Sequence, residues 1–343
     1  MDPLNRNRIS IVIVNWNSGP LLSRCLGSMS VCNDLDRVAR VVVVDNNSSD
    51  GSCDHLPEIS VPVTIVRNDT NRGFAAACNE GAALCQSDYL LFLNPDSELL
   101  ENSLSGPLDY LDDPQNKNVG ICGIQLLDER GRVARSCSRL PTCYSMVTTS
   151  LRLHGLSRKL FPPHFMKEWD HLETRPVEQV IGAFFVVRSH LFQQLQGFDE
   201  RFFVYFEEVD FCERTRQLGY QTFFLTASQA LHIGGGCSHQ IRGRSLFYSL
   251  RSRLAYADKH FRGWRSRLIQ ACTLIGEPTI RVTFAVLKLK WVNVTQLLFA
   301  FGKLWQSRLT APPVQRTCPL PQNPVPFSRI TVTEPGHSSR RAA

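Results

Sequence analysis

The chain has no apolar run long enough to cross a bilayer, no closely spaced cysteine pair, and almost no acidic residues between positions 241 and 310. Each deficit excludes something. A spanning helix needs about 20 predominantly apolar residues, and the apolar stretches after Leu268 are broken by Glu277, Arg281, Lys288 and Lys290. At the other end, MDPLNRNR precedes an apolar run at 9–14 that is too short for the h-region of a signal peptide, so export is not expected. The 12 cysteines are scattered, without a CxxC pair or a Cys/His cluster of zinc spacing; reduced, mostly buried thiols in a cytosolic setting are expected instead of a disulfide scaffold. The turn after the first apolar run, NWNSGP, carries no Lys or Arg. That argues against a nucleotidyltransferase, whose first loop receives a triphosphate with cations.

What is present belongs to an ordinary globular protein. An apolar share of 43% over 343 residues suffices for one large α/β domain with appendages. The net charge of +7 is unevenly placed. Residues 241–310 hold 13 Lys or Arg against Asp258 and Glu277, a local +11, whereas residues 1–240 carry −7. A surface that meets anions is expected in the later part, and not a generally basic protein.

Short β-branched runs at 9–14, 41–44, 63–67, 89–93 and 119–127 read as strands, with helical patterns at 20–30, 75–84 and 102–111 between them. Strand then helix, repeated, predicts a parallel sheet covered on both faces. Ligands of such sheets bind outside the carboxyl ends of the strands. There the first strand is followed by Asn15, Trp16 and Asn17, the second by Asp45 to Gly51, and the fourth by Asn94, Pro95 and Asp96. Any one of these is ordinary turn chemistry. Three on one rim predict a site.

Farther along, DERGR at 128–132 predicts a hairpin turn, 141–176 an irregular insertion, 179–187 an apolar strand containing Gly182 and Ala183, and 222–225 another strand. Glu207, Glu208 and Asp210 crowd a predicted helix start. The helix dipole favours acids there, but three together repel and raise the pKa of at least one, as a general base requires. His232 precedes Gly234, Gly235 and Gly236; it is read either as a packed residue or as a metal or pyrophosphate contact. Residues 241–310 predict a basic, amphipathic helical region that lies on an anionic leaflet or packs as a solvated subdomain, and 311–343 a mostly disordered tail.

The stretches SIVIVNWNSGPLLSRCLGSM, VVVVDNNSSDGS, NRGFAAACNEGAALCQSDYLLFLNPDSEL, VIGAFFVVRSHLFQQLQGFDERFFVYFEEVDFCERTRQLGY and ALHIGGGCS occur in that order over about residues 9–238. They resemble the family 2 glycosyltransferases, inverting nucleotide-sugar enzymes of GT-A fold, and within them the bacterial rhamnosyltransferase branch. The resemblance implies an α/β GT-A domain over 1–240 with a mostly parallel central sheet, followed by the C-terminal helical region. Asn15, Asn17, Asp45, Asn71, Arg72, Gly73 and Asn79 would bind the donor nucleotide. Asp96, the carboxylate left of the family's DxD motif, would hold Mg²⁺ or Mn²⁺, with His232 as a second ligand or a pyrophosphate contact.

By the same resemblance Glu208 would be the general base, with Glu207 and Asp210 as alternatives, and Gly182 and Ala183 would face sugar or acceptor. The implied reaction moves a sugar, L-rhamnose from dTDP-rhamnose or another donor such as UDP-galactofuranose or a UDP-hexose, to a lipid-linked or polysaccharide acceptor in cell-envelope glycan synthesis. The enzyme would be cytoplasmic and peripherally bound to the inner face of the membrane, with no nucleic-acid partner. A non-catalytic glycan-binding protein on the same fold is the other alternative, against which the intact Asp45, Asp96 and acidic cluster stand.

Overall fold

The computed structural model describes residues 8–157, 159–161, 164–166, 168–234, 242–288, 291–310 and 329–333. Strands β1 (Ile9–Asn15), β2 (Val38–Asp45), β3 (Val63–Arg67) and β4 (Tyr89–Leu93) run parallel in the spatial order β3-β2-β1-β4, with helix α1 (Leu21–Ser28) after β1 and α2 (Phe74–Ala83) after β3. All seven residues of β1 are buried, as its unbroken apolar run requires of a strand covered on both faces. The period of two then sorts side chains. Ile11, Ile13, Val41, Val43 and Leu91 join one core with Leu22 and Leu26 of α1, while Val12, Val14, Val42, Val44 and Phe92 join a second with Ala75, Ala77 and Cys78 of α2.

The sheet continues with strands of both directions. After β5 (Ser97–Leu99), α3 (Ser105–Asp112) and β6 (Val119–Leu127) come β7 (Cys137–Ser138), α4 (Cys143–Ser150), β8 (Arg175–Val177), β9 (Gln179–Val180), β10 (Phe184–Arg188), α5 (Ser189–Gln194), α6 (Glu207–Gln217) and β11 (Gln221–His232). Strand β10 enters antiparallel between β4 and β6, and β11 lies parallel to β6. The run at 179–187 is therefore two strands in different sheets. Residues 181–183 between them lie at the rim, where the Asn94 amide donates to the Ala183 carbonyl at 3.1 Å. Phe92, Phe185, Phe192, Phe198 and Phe211 interlock behind this rim, each contributing about 1.5–3 kcal/mol by burial.

The insertion is less irregular than expected. Thr142 and Ser145 form a reciprocal capping box that starts α4, a signal obscured by the absence of an apolar period. The DERGR turn forms: Arg130 and Arg132 amides donate to Asp128 Oδ1 at 2.9 and 3.0 Å, and Leu127 bridges Val133. The ten described cysteines are free thiols, and burial pushes Cys32, Cys53 and Cys212 up to about 12.

The C-terminal region forms α7 (Arg242–His260), α8 (Trp264–Ala271), α9 (Glu277–Leu287) and α10 (Trp291–Thr310), with a short π-helical turn between α8 and α9. It is not detached from the α/β part. Tyr256 and Ala257 of α7 enter the second core, and Ser252 donates to the Val204 carbonyl at 2.9 Å. Glu277, fully buried, pairs with Arg253 at 2.5 Å and Arg281 at 2.7 Å, tying α9 to α7. Among the described residues no helix is long and apolar enough to cross a membrane. Within the tail expected to lack order, β12 (Arg329–Thr333) adds to the edge at β3; its β-branched sequence, ITVT, suits an edge strand. Residues 311–328 and 334–343, and Gly235 and Gly236, lie outside the described residues.

Candidate active site

Register aligns the strand ends. Asn15 lies opposite Asp45, and Asp45 opposite Arg67, so the polar residues after β1, β2 and β4 share one rim. Beside them opens a cleft of about 450 Å³. Two larger grooves, of about 760 and 790 Å³, lie against the C-terminal helices. The smaller one is the candidate site, because Glu207, Glu208 and Asp96 meet in it.

Of the residues selected from sequence, Asn71, Gly73, Asp96, Gly182, Ala183, Glu207, Glu208 and His232 line the cleft. Gly73 has φ +89, and a Cβ there would stand 2.4 Å from the Phe203 carbonyl oxygen; only glycine fits, since its left-handed backbone and missing side chain let the loop before α2 touch the loop before α6. That contact is sealed by the Phe74 amide donating to Phe203 O at 2.6 Å. His232 Nε2 lies 3.4 Å from Asp96 Oδ1. Across from them, Tyr205 and Phe206 both adopt positive φ, 67 and 72, a strained pair that turns the chain so that α6 begins with Glu207 and Glu208 at the cleft.

Both glutamates are electrostatically exposed to the same problem. Burial, then the neighbouring Glu208 charge, drives the Glu207 carboxyl well above the carboxylate range. Burial pushes Glu208 up to about 7 against the lowering effect of helix amides at its own position and at Val209. Among the described residues Glu207 Oε2 and Glu208 Oε2 accept no hydrogen bond, while Gln179 Nε2 donates to Glu208 Oε1 at 3.5 Å, the limit of such contact. A carboxylate shifted toward neutrality beside a cleft has the character of a general base.

Six selected residues sit elsewhere. Asn15 is fully buried, donating to Asp45 at 3.1 Å, Ser48 at 3.0 Å and Ser52 at 2.8 Å. Asn17 accepts from the Ser49 amide at 2.8 Å, and Asp45 faces Arg67 at 3.6 Å. These three shape the loops beside the cleft. Arg72 pairs with Glu80 at 3.4 Å. Asn79 clamps the turn at Phe198, donating to its carbonyl and accepting from its amide, both at 2.8 Å. Asp210 is locked into a cation cluster with Lys259 at 2.6 Å, Arg214 at 2.7 Å and His260 at 2.7 Å.

Other cleft residues had no assigned role. Asn46, in the quoted cluster after β2, holds the second loop by donating to Gly73 O at 3.0 Å and accepting from the Arg72 amide at 3.0 Å. Trp16, Phe74, Phe203 and Tyr205 supply aromatic walls. Arg244, Ser245 and Tyr248 come from α7, with Tyr248 stacked on Phe203 at 4.7 Å. Their basic and aromatic character was visible in sequence; nothing local told that α7 folds back over the strand ends.

Among the described residues no group of three or more His, Cys, Asp or Glu could hold a metal ion. One carboxylate and one imidazole facing the same cavity still fit a hard cation that completes its shell with phosphate oxygens and water.

Comparison with known proteins identifies the family and the fold. The sequence model of glycosyl transferase family 2 matches residues 10–195. An N-acetylglucosaminyl-diphospho-decaprenol L-rhamnosyltransferase from Mycobacterium tuberculosis is 27% identical over 293 residues, covering 80% of this chain and 91% of that protein. The rhamnosyltransferase WbbL of Escherichia coli K12 is 24% identical over 256 residues, 72% of this chain and 92% of that one. Among solved structures, the mannosyltransferase PcManGT from Pyrobaculum calidifontis, in complex with GDP-Man and Mn²⁺, superposes with a TM-score of 0.51 over 90% of this chain and 89% of its own, at 16% identity. That likeness concerns the fold.

Proposed function

The chain belongs to glycosyl transferase family 2, and from that premise we propose that it transfers L-rhamnose from dTDP-rhamnose, with inversion, to a lipid-linked acceptor in cell-envelope glycan synthesis. The observation that carries the reading is that one 450 Å³ cleft brings together Asp96, His232 and Glu208, whose Oε2 accepts no hydrogen bond among the described residues. Rhamnosyltransferase relatives, one named for a diphospho-decaprenol acceptor, support the sugar and the acceptor class.

In this reading Glu208 Oε2 removes the proton of the acceptor hydroxyl. The oxygen forms its bond to the anomeric carbon from the face opposite the diphosphate, the carbon–oxygen bond to the nucleotide breaks, and the electron pair leaves with it. Glu207, kept protonated by burial, adds no second charge at Glu208. Asn46, Asn71 and Trp16 flank the nucleotide, and Ile181 to Ala183 offer backbone and small side chains to the sugar. Asp96 and His232 would hold a Mg²⁺ or Mn²⁺, which when bound neutralises charge on the departing diphosphate.

Peripheral attachment to an anionic membrane completes the proposal. Trp264, Ile275, Leu287, Leu298 and Leu309 are exposed on the C-terminal helices beside Arg265, Arg267, Lys288 and Lys303, a combination suited to a headgroup layer.

The test measures donor turnover and thermal stabilisation across dTDP-rhamnose, UDP-galactofuranose and UDP-hexoses, with and without chelator. Metal-dependent stabilisation by dTDP-rhamnose, an inverted product, and loss of turnover in Asp96→Ala are expected. Preference for a UDP sugar would reassign the donor; full turnover in excess chelator would remove the cation.

A further inference from the structure

The groove of about 760 Å³ lies between the turn after α4, the first turn of α7, and helices α9 and α10. Its volume falls within the roughly 300–1,000 Å³ of pockets that take small organic ligands. Leu151, Leu246, Ile280, Phe284 and Leu297 form apolar walls, and Arg152, Arg281 and Lys288 stand on the rim. No acidic side chain lines it among the described residues. Arg281 is engaged by Glu277, whereas Arg152 and Lys288 are exposed. Phe284 is 55% and Leu156 80% exposed, so apolar surface faces outward here beside Arg152 and Lys288, the exposed cations of the rim.

The groove and the catalytic cleft share a partition. Gly243 lines the groove, and the next two residues, Arg244 and Ser245, line the cleft. A Cβ at Gly243 would stand 3.4 Å from both the Gln296 carbonyl oxygen and Phe299, so α7 and α10 close tightly there. The first turn of α7 thus presents one cavity through Gly243 and the other through Arg244 and Ser245.

We propose that this groove seats the first isoprenoid units of a polyprenyl-diphosphate acceptor, with Arg244 at the junction and Arg152 and Lys288 on the rim meeting the diphosphate. The assignment rests on the reading of the chain as a transferase to a lipid-linked sugar. Charge complementarity selects this occupant: the apolar walls suit the prenyl chain and the cations suit its diphosphate. A second copy of the same surface would set cations against cations.

Titrating the full chain with farnesyl diphosphate, farnesol and inorganic pyrophosphate tests the groove without turnover. Farnesyl diphosphate binds at least about tenfold more tightly than either part, and Phe284→Glu, Leu156→Glu and Lys288→Glu each weaken it about tenfold. In transfer assays Phe284→Glu raises KM for a polyprenyl-diphosphate-linked sugar about tenfold, leaving donor KM and the KM of a short-alkyl acceptor unchanged. Variants that bind like wild type, equal losses with both acceptors, or a dimer that Phe284→Glu dissolves would overturn the assignment. Wild-type binding that the variants lose, without sugar transfer from any donor, would leave the groove standing and sink the functional reading.

Discussion

The first turn of α6 carries carboxylates that meet opposite fates on its two sides. Toward the cleft, Glu207 and Glu208 are desolvated without a cation, and burial raises both. Toward α7, Asp210 is equally desolvated, but His260, Arg214 and Lys259 outweigh the burial and hold its carboxyl well below the usual range. Helix position is nearly the same, so the dipole cannot be the cause. The difference comes from what packs opposite. The core side is neutralised and joins α6 to α7, whereas the cleft side is left with an unmet demand for a proton, as a base requires.

The largest expected effect breaks the cleft side. Glu208→Gln lowers kcat by about 10²- to 10⁴-fold while donor binding, read by thermal shift, is retained. If Glu207→Gln produces that loss and Glu208→Gln does not, the base is the neighbouring residue. On the core side, Asp210→Ala takes the carboxylate from Arg214 and leaves Lys259 only Asp199, and costs about 3 kcal/mol of stability in denaturant unfolding, the low end for a broken buried pair. A stable Asp210→Ala protein that is merely inactive would move Asp210 into the chemistry.

The pH dependence of stability sharpens the contrast, with smaller effects. Glu208's folded pKa of about 7 lies above its ordinary 4.5, so the folded chain keeps a proton that the unfolded chain has lost, and stability falls as pH rises through that window. Asp210 is depressed below its ordinary 3.8; its contribution is present above that value and is lost as pH falls. Glu208→Gln therefore raises the unfolding midpoint by a few degrees at pH 8 and leaves it unchanged near pH 4. Asp210→Asn lowers it at pH 8, and its deficit shrinks in acid. Parallel pH curves for the two variants would show that the two sides do not differ as described.

Much of this was legible along the chain. The continuous apolar strands could only be covered on both faces, so the rim that gathers Asn46, Asn71 and Asp96 follows from alternation and chain direction. Glu207 and Glu208 were marked by their crowding. Asn79 and Asp210 were misplaced for a common reason: a polar side chain on a helix reads the same whether it faces a cavity or a partner. Asn79 found the Phe198 backbone, and Asp210 found cations about fifty residues later in the chain, at Lys259 and His260. The basic stretch was likewise legible as charge and not as a wall of the site.

Local periodicity and turn chemistry determined the strands, their polar ends and the acidic helix start, because those depend on neighbours within a few residues. Which carboxylates were neutralised, where β10 entered reversed, and how α7 came to lie over the strand ends with a second cavity behind it were decided only in three dimensions. Desolvation and ion pairing depend on the side chains packed opposite, and those come from parts of the chain that local sequence does not bring together.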